Sequence, residues 1–416
     1  MLDHSIIDKI FKLKPLRVAV GVSGGADSLC LTSILNTWCK LHNVELIAYI
    51  VDHKLRSEST LEALSVQKLL SDLGINTKVL TATFAGKPRS NVQNFARTLR
   101  FELFRHECER DNITHLFLAH TLNDQAETVL MRIIRGCSIK GISGIKAISN
   151  YQGIKLIRPL LKTPRQAIES YLRQKGISWI NDPSNHNLKY DRIKARQMLK
   201  NYHQFFDNHL IYQRLSQLGE HAGRTASYID KRVNKVWAAK IVVDKKLNFI
   251  TICNSLYQLN SEILLNTFKK ILKHFHSNKP PVRMDSLEEL VTNLKQHHKI
   301  TKTLGGCVIE KTTRGKTLVY LEIGKLAHNV SAIEPTTVNQ WHNLRVLANE
   351  QLELGVGFIG RNGWAELKSK GLKRPDNISI NIIYSLMGVF HEGALIAVPQ
   401  LDYYLRKIDV TIRSKI

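Results

Sequence analysis

Short apolar runs alternate with longer amphipathic segments along the first half of the chain. LRVAVGV (16–22), VELIAYIVDH (44–53), INTKVLTAT (75–83) and HLFLAH (115–120) are short, apolar, mostly rich in β-branched residues and similarly spaced, as strands are. Between them the period lengthens. Over 90–109, Val92, Phe95, Ala96, Leu99 and Leu103 fall on one helical face, and Ser90 is placed to cap it. Strands separated by helices predict βαβ units and a parallel sheet covered on both faces. KTPRQAIESYLRQKGISW predicts a further helix, with Thr163 as its cap, Pro164 at the first helical position and Gly176 just past the end. Asn181, Asp182, Pro183, Ser184 and Asn185 read as a loop.

Beyond residue 200 the alternation stops. Residues 205–240, 254–275 and 286–296 read as helices, with a loop in KHFHSNKPPV (273–282). CVIEKTTRGKTLVYLE (307–322) reads as a β-hairpin turning at Arg314-Gly315. From about 330 the pattern is mixed and leans towards strand. The expected architecture is α/β: a doubly wound parallel sheet over 1–200, a mostly helical domain over 201–325, and a small α+β domain over 330–416.

Charge changes this picture. Lys and Arg number 60 against 35 Asp and Glu, a formal balance of +25, which points to a polyanionic partner such as nucleic acid or an acidic membrane surface. The six cysteines form no CxxC pair, and no His cluster has metal-ligand spacing, so they read as reduced thiols. MLDHSIIDKIFKLK does not read as a signal peptide, and no apolar run approaches the roughly 18 residues a membrane span needs. The expectation is a soluble, cytoplasmic protein.

The chemistry concentrates in GVSGGADS (21–28). A glycine-rich turn between strand and helix presents backbone N–H groups and the helix dipole to an anion. Gly24 and Gly25 permit close approach; Ser23 and Ser28 offer hydroxyls. The lysine of GxxxxGK[ST] is missing, so a P-loop kinase or NTPase fits poorly. Asp27 beside a phosphate site is counterproductive unless it holds Mg²⁺ or orients another group. In LAHTLNDQAETVLMRIIRG (118–136), Asp124 and Glu127 share a face at a helix start, suiting a metal, a nucleophile to be oriented, or a capping box on a solvated first turn. VDHKLR (51–56) falls at the C-terminal end of a strand, where open α/β sheets bind ligands. Arg97 and Arg100 lie off the apolar face of their helix, and Arg192 and Arg196 stand one turn apart.

SGGADS resembles the pyrophosphate loop of N-type ATP pyrophosphatases, which split ATP between the α and β phosphates. The loop, VDHKLR, the N-x-x-x-A-R helix, the AHTLNDQAET box, RPLL (158–161) and W-x-x-D-x-S-N with its paired arginines run in the order of the tRNA(Ile)-lysidine synthetase family, from residue 16 to about 200. The resemblance implies ATP and Mg²⁺ as cofactors, with free L-lysine and the isoleucine tRNA of CAU anticodon as substrates. It implies adenylation of the wobble cytidine at its C2 oxygen, then attack by the lysine ε-amine with loss of AMP, and often a homodimer. Matched by motif, Ser23, Gly24, Gly25, Ala26, Asp27 and Ser28 would hold ATP. Asp27 and Asp124 would hold Mg²⁺, and Glu127 would orient the lysine amine or take its proton. Arg97 and Arg192 would stabilise phosphate charge or grip the cytidine. Two departures stand out. Thr121 occupies a position where the family often has a second His, and residues 355–375 only loosely resemble the glycine-rich basic turn of its C-terminal domain. Alternatives are a tRNA thiolation enzyme, which would commonly need CxxC pairs; an amidotransferase synthetase, which would need a glutaminase; and a catalytically silent tRNA binder.

Overall fold

The computed structural model describes residues 2–8, 10–11, 15–54, 59–82, 92–180, 191–201, 208–276, 282–313, 315–324, 330–334, 338–348, 353–376, 378–405 and 410–414. Ser90, Arg56, the 181–185 loop and Arg314 lie outside these. The chain divides into two compact units, Met1–Ala226 and Ser227–Ile416.

The first unit contains α1 (Ser5–Asp8), β1 (Arg17–Val22), α2 (Ala26–His42), β2 (Glu45–Asp52), α3 (Ser59–Asp72), β3 (Asn76–Thr81), α4 (Val92–Arg110), β4 (His115–Phe117), α5 (Leu122–Ile134), α6 (Ile139–Ile142), β5 (Ile148–Tyr151), β6 (Ile154–Ile157), α7 (Arg165–Gln174) and α8 (Asp191–Asn201). The unit boundary falls within α9 (Asn208–Lys240). Its six strands run in the order β3-β2-β1-β4-β6-β5, parallel except for the β5–β6 hairpin. The alternation of β1 explains the two covered faces. Val18, Val20 and Val22 enter one core with Leu29, Trp38 and Ile168, while Ala19 enters a second with Tyr49, Phe104 and Leu116. Gly21 is small because Phe104 covers it: an added Cβ would lie 2.9 Å from the ring. The chain order reverses between β1 and β4, which makes their carboxyl ends the switch point where open sheets bind ligands.

The α7 boundary differs from expectation by one residue. Thr163 closes a short 3-10 turn over Pro159–Lys162, and its carbonyl accepts from Leu122 N at 3.1 Å. Pro164 therefore becomes the extended N-cap, and Arg165 opens the helix. Gly176, at φ +64°, ends it as expected.

The second unit carries β7 (Ile241–Asp244), β8 (Phe249–Cys253), α10 (Ser261–Phe275), α11 (Met284–Gln296), β9 (Ile300–Leu304), β10 (Cys307–Lys311), β11 (Lys316–Leu321), β12 (Ser331–Ile333), β13 (Val338–Trp341), β14 (Leu344–Ala348), β15 (Leu354–Phe358), α12 (Gly360–Ser369), α13 (Ile380–Tyr384), β16 (Met387–His391), β17 (Ala394–Val398), β18 (Tyr403–Tyr404) and β19 (Val410–Ser414). The predicted hairpin is the antiparallel pair β10–β11. It sits inside a five-stranded sheet, β7-β8-β11-β10-β9, whose core includes Phe268, Phe275 and Leu290 from α10 and α11. The strands in IVVDKKLNFITIC were not anticipated within this otherwise helical stretch. Two further sheets follow, β12-β15-β16-β17-β18 and β13-β14-β19. The buried Asn248 and Asn343 exchange side-chain amide bonds at 3.0 and 2.7 Å, tying the β7–β8 turn to the β13–β14 turn.

Candidate active site

β1 runs into the glycine-rich loop, and the loop runs into α2. Gly24 adopts φ +80°, open to glycine at no cost, and a Cβ there would lie 2.5 Å from Val66 Cγ2. Its carbonyl accepts from Ile180 N at 3.1 Å. Ser28 Oγ accepts from Ser23 N at 3.2 Å and donates to Gly25 O at 2.9 Å, closing the loop on itself. Gly25 is the N-cap of α2 and supplies no side-chain cap. The first N–H groups of a 17-residue helix thus meet the loop with no side-chain cap from Gly25, an arrangement that suits an anion.

Asp27 lies in the first turn of this helix. Burial pushes its carboxyl up to about 6, the Asp124 charge adds to the rise, and Arg165 opposes it. Arg165 Nη1 stands 3.8 Å from Asp27 Oδ2, while its Nε donates to Glu169 at 2.9 Å. Asp27 Oδ1 is buried with no hydrogen-bond partner. Two carboxylates that repel each other, one with a bare oxygen, fit a divalent cation that takes its remaining ligands from phosphate and water. No group of three or more His, Cys, Asp or Glu converges among the described residues.

Asp124 and Glu127 open α5. Thr121 makes a capping box with Asp124: Thr121 N donates to Asp124 Oδ2 at 2.8 Å and Asp124 N to Thr121 Oγ1 at 3.4 Å. Thr121 therefore caps the start of the helix. The capping reading holds for Asp124, but the turn is not solvated: Glu127 is 1% exposed. Arg192 Nη2 donates to Asp124 Oδ1 at 2.5 Å and its Nε to Glu127 Oε2 at 2.7 Å. Arg196 Nε donates to Glu127 Oε1 at 2.7 Å. The one-turn spacing of the two arginines thus aims both at one carboxylate.

Arg97 pairs with no carboxylate among the described residues, and its guanidinium carbon lies 5.1 Å from the Phe101 ring centroid. Burial lowers its pKa, and Arg192 and Arg132 add to the fall. Arg100 reaches the end of β2, where its Nε and Nη2 meet His53 Nε2 at 3.2 and 2.9 Å. An Nε2 that accepts leaves the proton of a neutral ring on Nδ1, and Nδ1 is buried without a partner. Burial pushes His53 down to about 4, with Arg100 adding to the fall. Sequence reasoning assigned no role to His53, His120, Arg158 or Arg165. The first three sit within quoted motifs, and Arg165 follows the Thr-Pro helix start.

The six cysteines are free, and burial pushes Cys30, Cys39 and Cys108 up to about 12, far from a reactive thiolate. In the second unit, exposed Lys368, Lys373 and Arg374 line a surface pocket of about 470 Å³ with Trp364. No helix among the described residues is long and apolar enough to cross a membrane.

A glycine-rich loop at the switch point of a parallel sheet, with the unpartnered Asp27 Oδ1 beside it, is the arrangement of an ATP-using protein of the PP-loop class. A family model described as a PP-loop domain matches residues 3–202. The tRNA(Ile)-lysidine synthase of Wolbachia pipientis wMel is 30% identical over 93% of this chain and 89% of its own length. That of Ruegeria pomeroyi is 32% identical over 71% and 69%, and that of Orientia tsutsugamushi 28% identical over 94% and 90%. The chain belongs to the tRNA(Ile)-lysidine synthase family.

Proposed function

We propose that this protein ligates free L-lysine to C2 of the wobble cytidine of an isoleucine tRNA with anticodon CAU, consuming ATP and releasing AMP and pyrophosphate. The observation that carries the reading is the unpartnered Asp27 Oδ1, held near Asp124 at the uncapped start of α2. The Ser23–Ser28 loop would hold the phosphates of ATP through backbone N–H groups and the two hydroxyls. Asp27 and Asp124 would hold Mg²⁺, which when bound neutralises charge on the phosphates. Arg165 would keep Asp27 aimed at the loop.

Glu127 takes a different part from the one its motif suggests. Both its oxygens accept from guanidinium groups, so it serves best as the anchor that holds Arg192 and Arg196 at the mouth of the site. Arg192 would then face the reacting phosphate on one side and Asp124 on the other. Arg97 would supply uncommitted positive charge to the adenylated cytidine. The flipped pyrimidine must come from a single-stranded loop, as an anticodon does. The +25 balance and the basic pocket of the second unit support a tRNA partner, with Lys368, Lys373 and Arg374 taking backbone phosphate. The reaction belongs in the cytoplasm, where tRNA, ATP and lysine meet.

The test is incubation with ATP, Mg²⁺, radiolabelled lysine and the CAU isoleucine tRNA transcript, with the methionine tRNA as control. Label in the isoleucine tRNA alone, with AMP and pyrophosphate released, is the expected result. Pyrophosphate release without lysine transfer would overturn the substrate assignment, and tRNA binding without either would favour a silent binder.

A further inference from the structure

Arg158 follows β6 at the carboxyl end of the sheet. β6 pairs with β4 in parallel register, Phe117 opposite Ile157, and Leu118 N donates to Ile157 O at 2.8 Å. Arg158 therefore sits level with the segment that leads through His120 into α5. It is 6% exposed. Its Nη1 donates to Lys146 O at 2.9 Å and to Ser149 Oγ at 3.0 Å, but its Nε is buried and meets no acceptor. Among the described residues no carboxylate pairs with Arg158, and none pairs with Arg97. Burial pushes Arg158 down to about 10, and the nearby Arg97 charge contributes. His120 carries a second buried, unpartnered nitrogen, Nδ1, and feels the charges of both arginines.

A buried guanidinium without a counter-ion is costly, and proteins keep such a group where a ligand supplies the missing anion. His120 also feels the Asp124 carboxylate, so negative charge lies on the α5 side of the cluster. A ligand that carries an amine and a carboxylate on one short chain matches that arrangement.

We propose that Arg158, with Arg97 and His120 beside it, is a preset carboxylate site that selects the α-carboxylate of the free amino-acid substrate. The inference rests on the lysine-ligase reading above and adds the residue that tells an amino acid from a simple amine. A polynucleotide phosphate is the weaker occupant, because it is tethered on both sides and Arg158 is enclosed. ATP phosphates have their own cradle after β1.

The experiment compares L-lysine with L-lysinamide as acceptor amines, with ATP, Mg²⁺ and the CAU tRNA present. The readout is the ratio of kcat/KM for the two amines. The wild-type protein is expected to prefer lysine on the order of 100-fold, since the amide leaves the buried guanidinium unpaired. Arg158→Met should bring that preference to within about 5-fold by raising the KM for lysine, and Arg158→Lys should fall between, as a point charge replaces a planar fork. A wild-type protein that uses both amines equally overturns the inference, even if no variant folds. So does an Arg158→Met variant that keeps the preference while its KM for tRNA rises, which would assign the site to RNA phosphate. If the wild-type protein transfers neither amine, the ligase reading itself falls and takes this one with it.

Discussion

Arg192 donates its Nε to Glu127 Oε2 at 2.7 Å, across 65 residues of sequence. This bond and its three companions from Arg192 and Arg196 fix α8 to α5 beside the candidate site. Glu127→Gln keeps the shape and removes the charge that two guanidinium groups face. The variant should lose about 2–4 kcal/mol of stability, as breaking a buried pair does, and show it as a lower midpoint in chemical denaturation of the full chain. Loss of pyrophosphate release should accompany it.

Asp27 should show the opposite trade. Its folded pKa of about 6 lies above the ordinary carboxylate value of 3.8, so its contribution to stability is present below about pH 4 and is lost as pH rises through about 6. Asp27→Asn removes that loss. The variant should be more stable than wild type above pH 6 by about 2 kcal/mol, with no difference near pH 4, while ATP-dependent pyrophosphate release disappears. Denaturation midpoints across pH 4–8 test this.

His53 titrates with the other sign. Its pKa falls from 6.5 to about 4 on folding, so its contribution is present above about pH 6.5 and is lost as pH falls through about 4. His53→Asn should flatten that acid-side loss. The comparison is best made in the Asp27→Asn background, where the opposing slope is gone.

Gly24 joins two constraints that mutation can separate. Gly24→Ala meets both the positive φ and Val66 Cγ2, and should cost about 1–3 kcal/mol and weaken ATP binding. Adding Val66→Ala should return the steric share and leave the conformational one, which a double-mutant cycle in stability resolves.

Lys373 and Arg374 should act on tRNA affinity alone. Replacing either by Ala should lower the slope of log affinity against log salt by about 1 without changing the KM for ATP. Filter binding from low to moderate salt measures it.

Much of this was legible beforehand because it is local. The strand-loop-helix of 16–42, the capping-box alternative at the start of the 122–134 helix, and the one-turn spacing of Arg192 and Arg196 depend on residues a few positions apart. The strands of 241–253 escaped notice because a short alternating stretch carries little signal between long helices. The Thr163 shift escaped because its carbonyl is claimed by Leu122, 41 positions away.

The fold class, the glycine-rich loop and the family could be read from the chain alone, since periodicity, glycine placement and motif order are local properties of the sequence. Which charges are paired and which are unpartnered follows from the packing. Glu127, expected to orient the lysine amine or take its proton, pairs with two arginines; Arg158, quoted only as part of RPLL, is a buried cation with no carboxylate partner among the described residues. Pairing and burial depend on groups brought together from distant parts of the chain, and an ionisable residue takes its role from those neighbours rather than from its own identity.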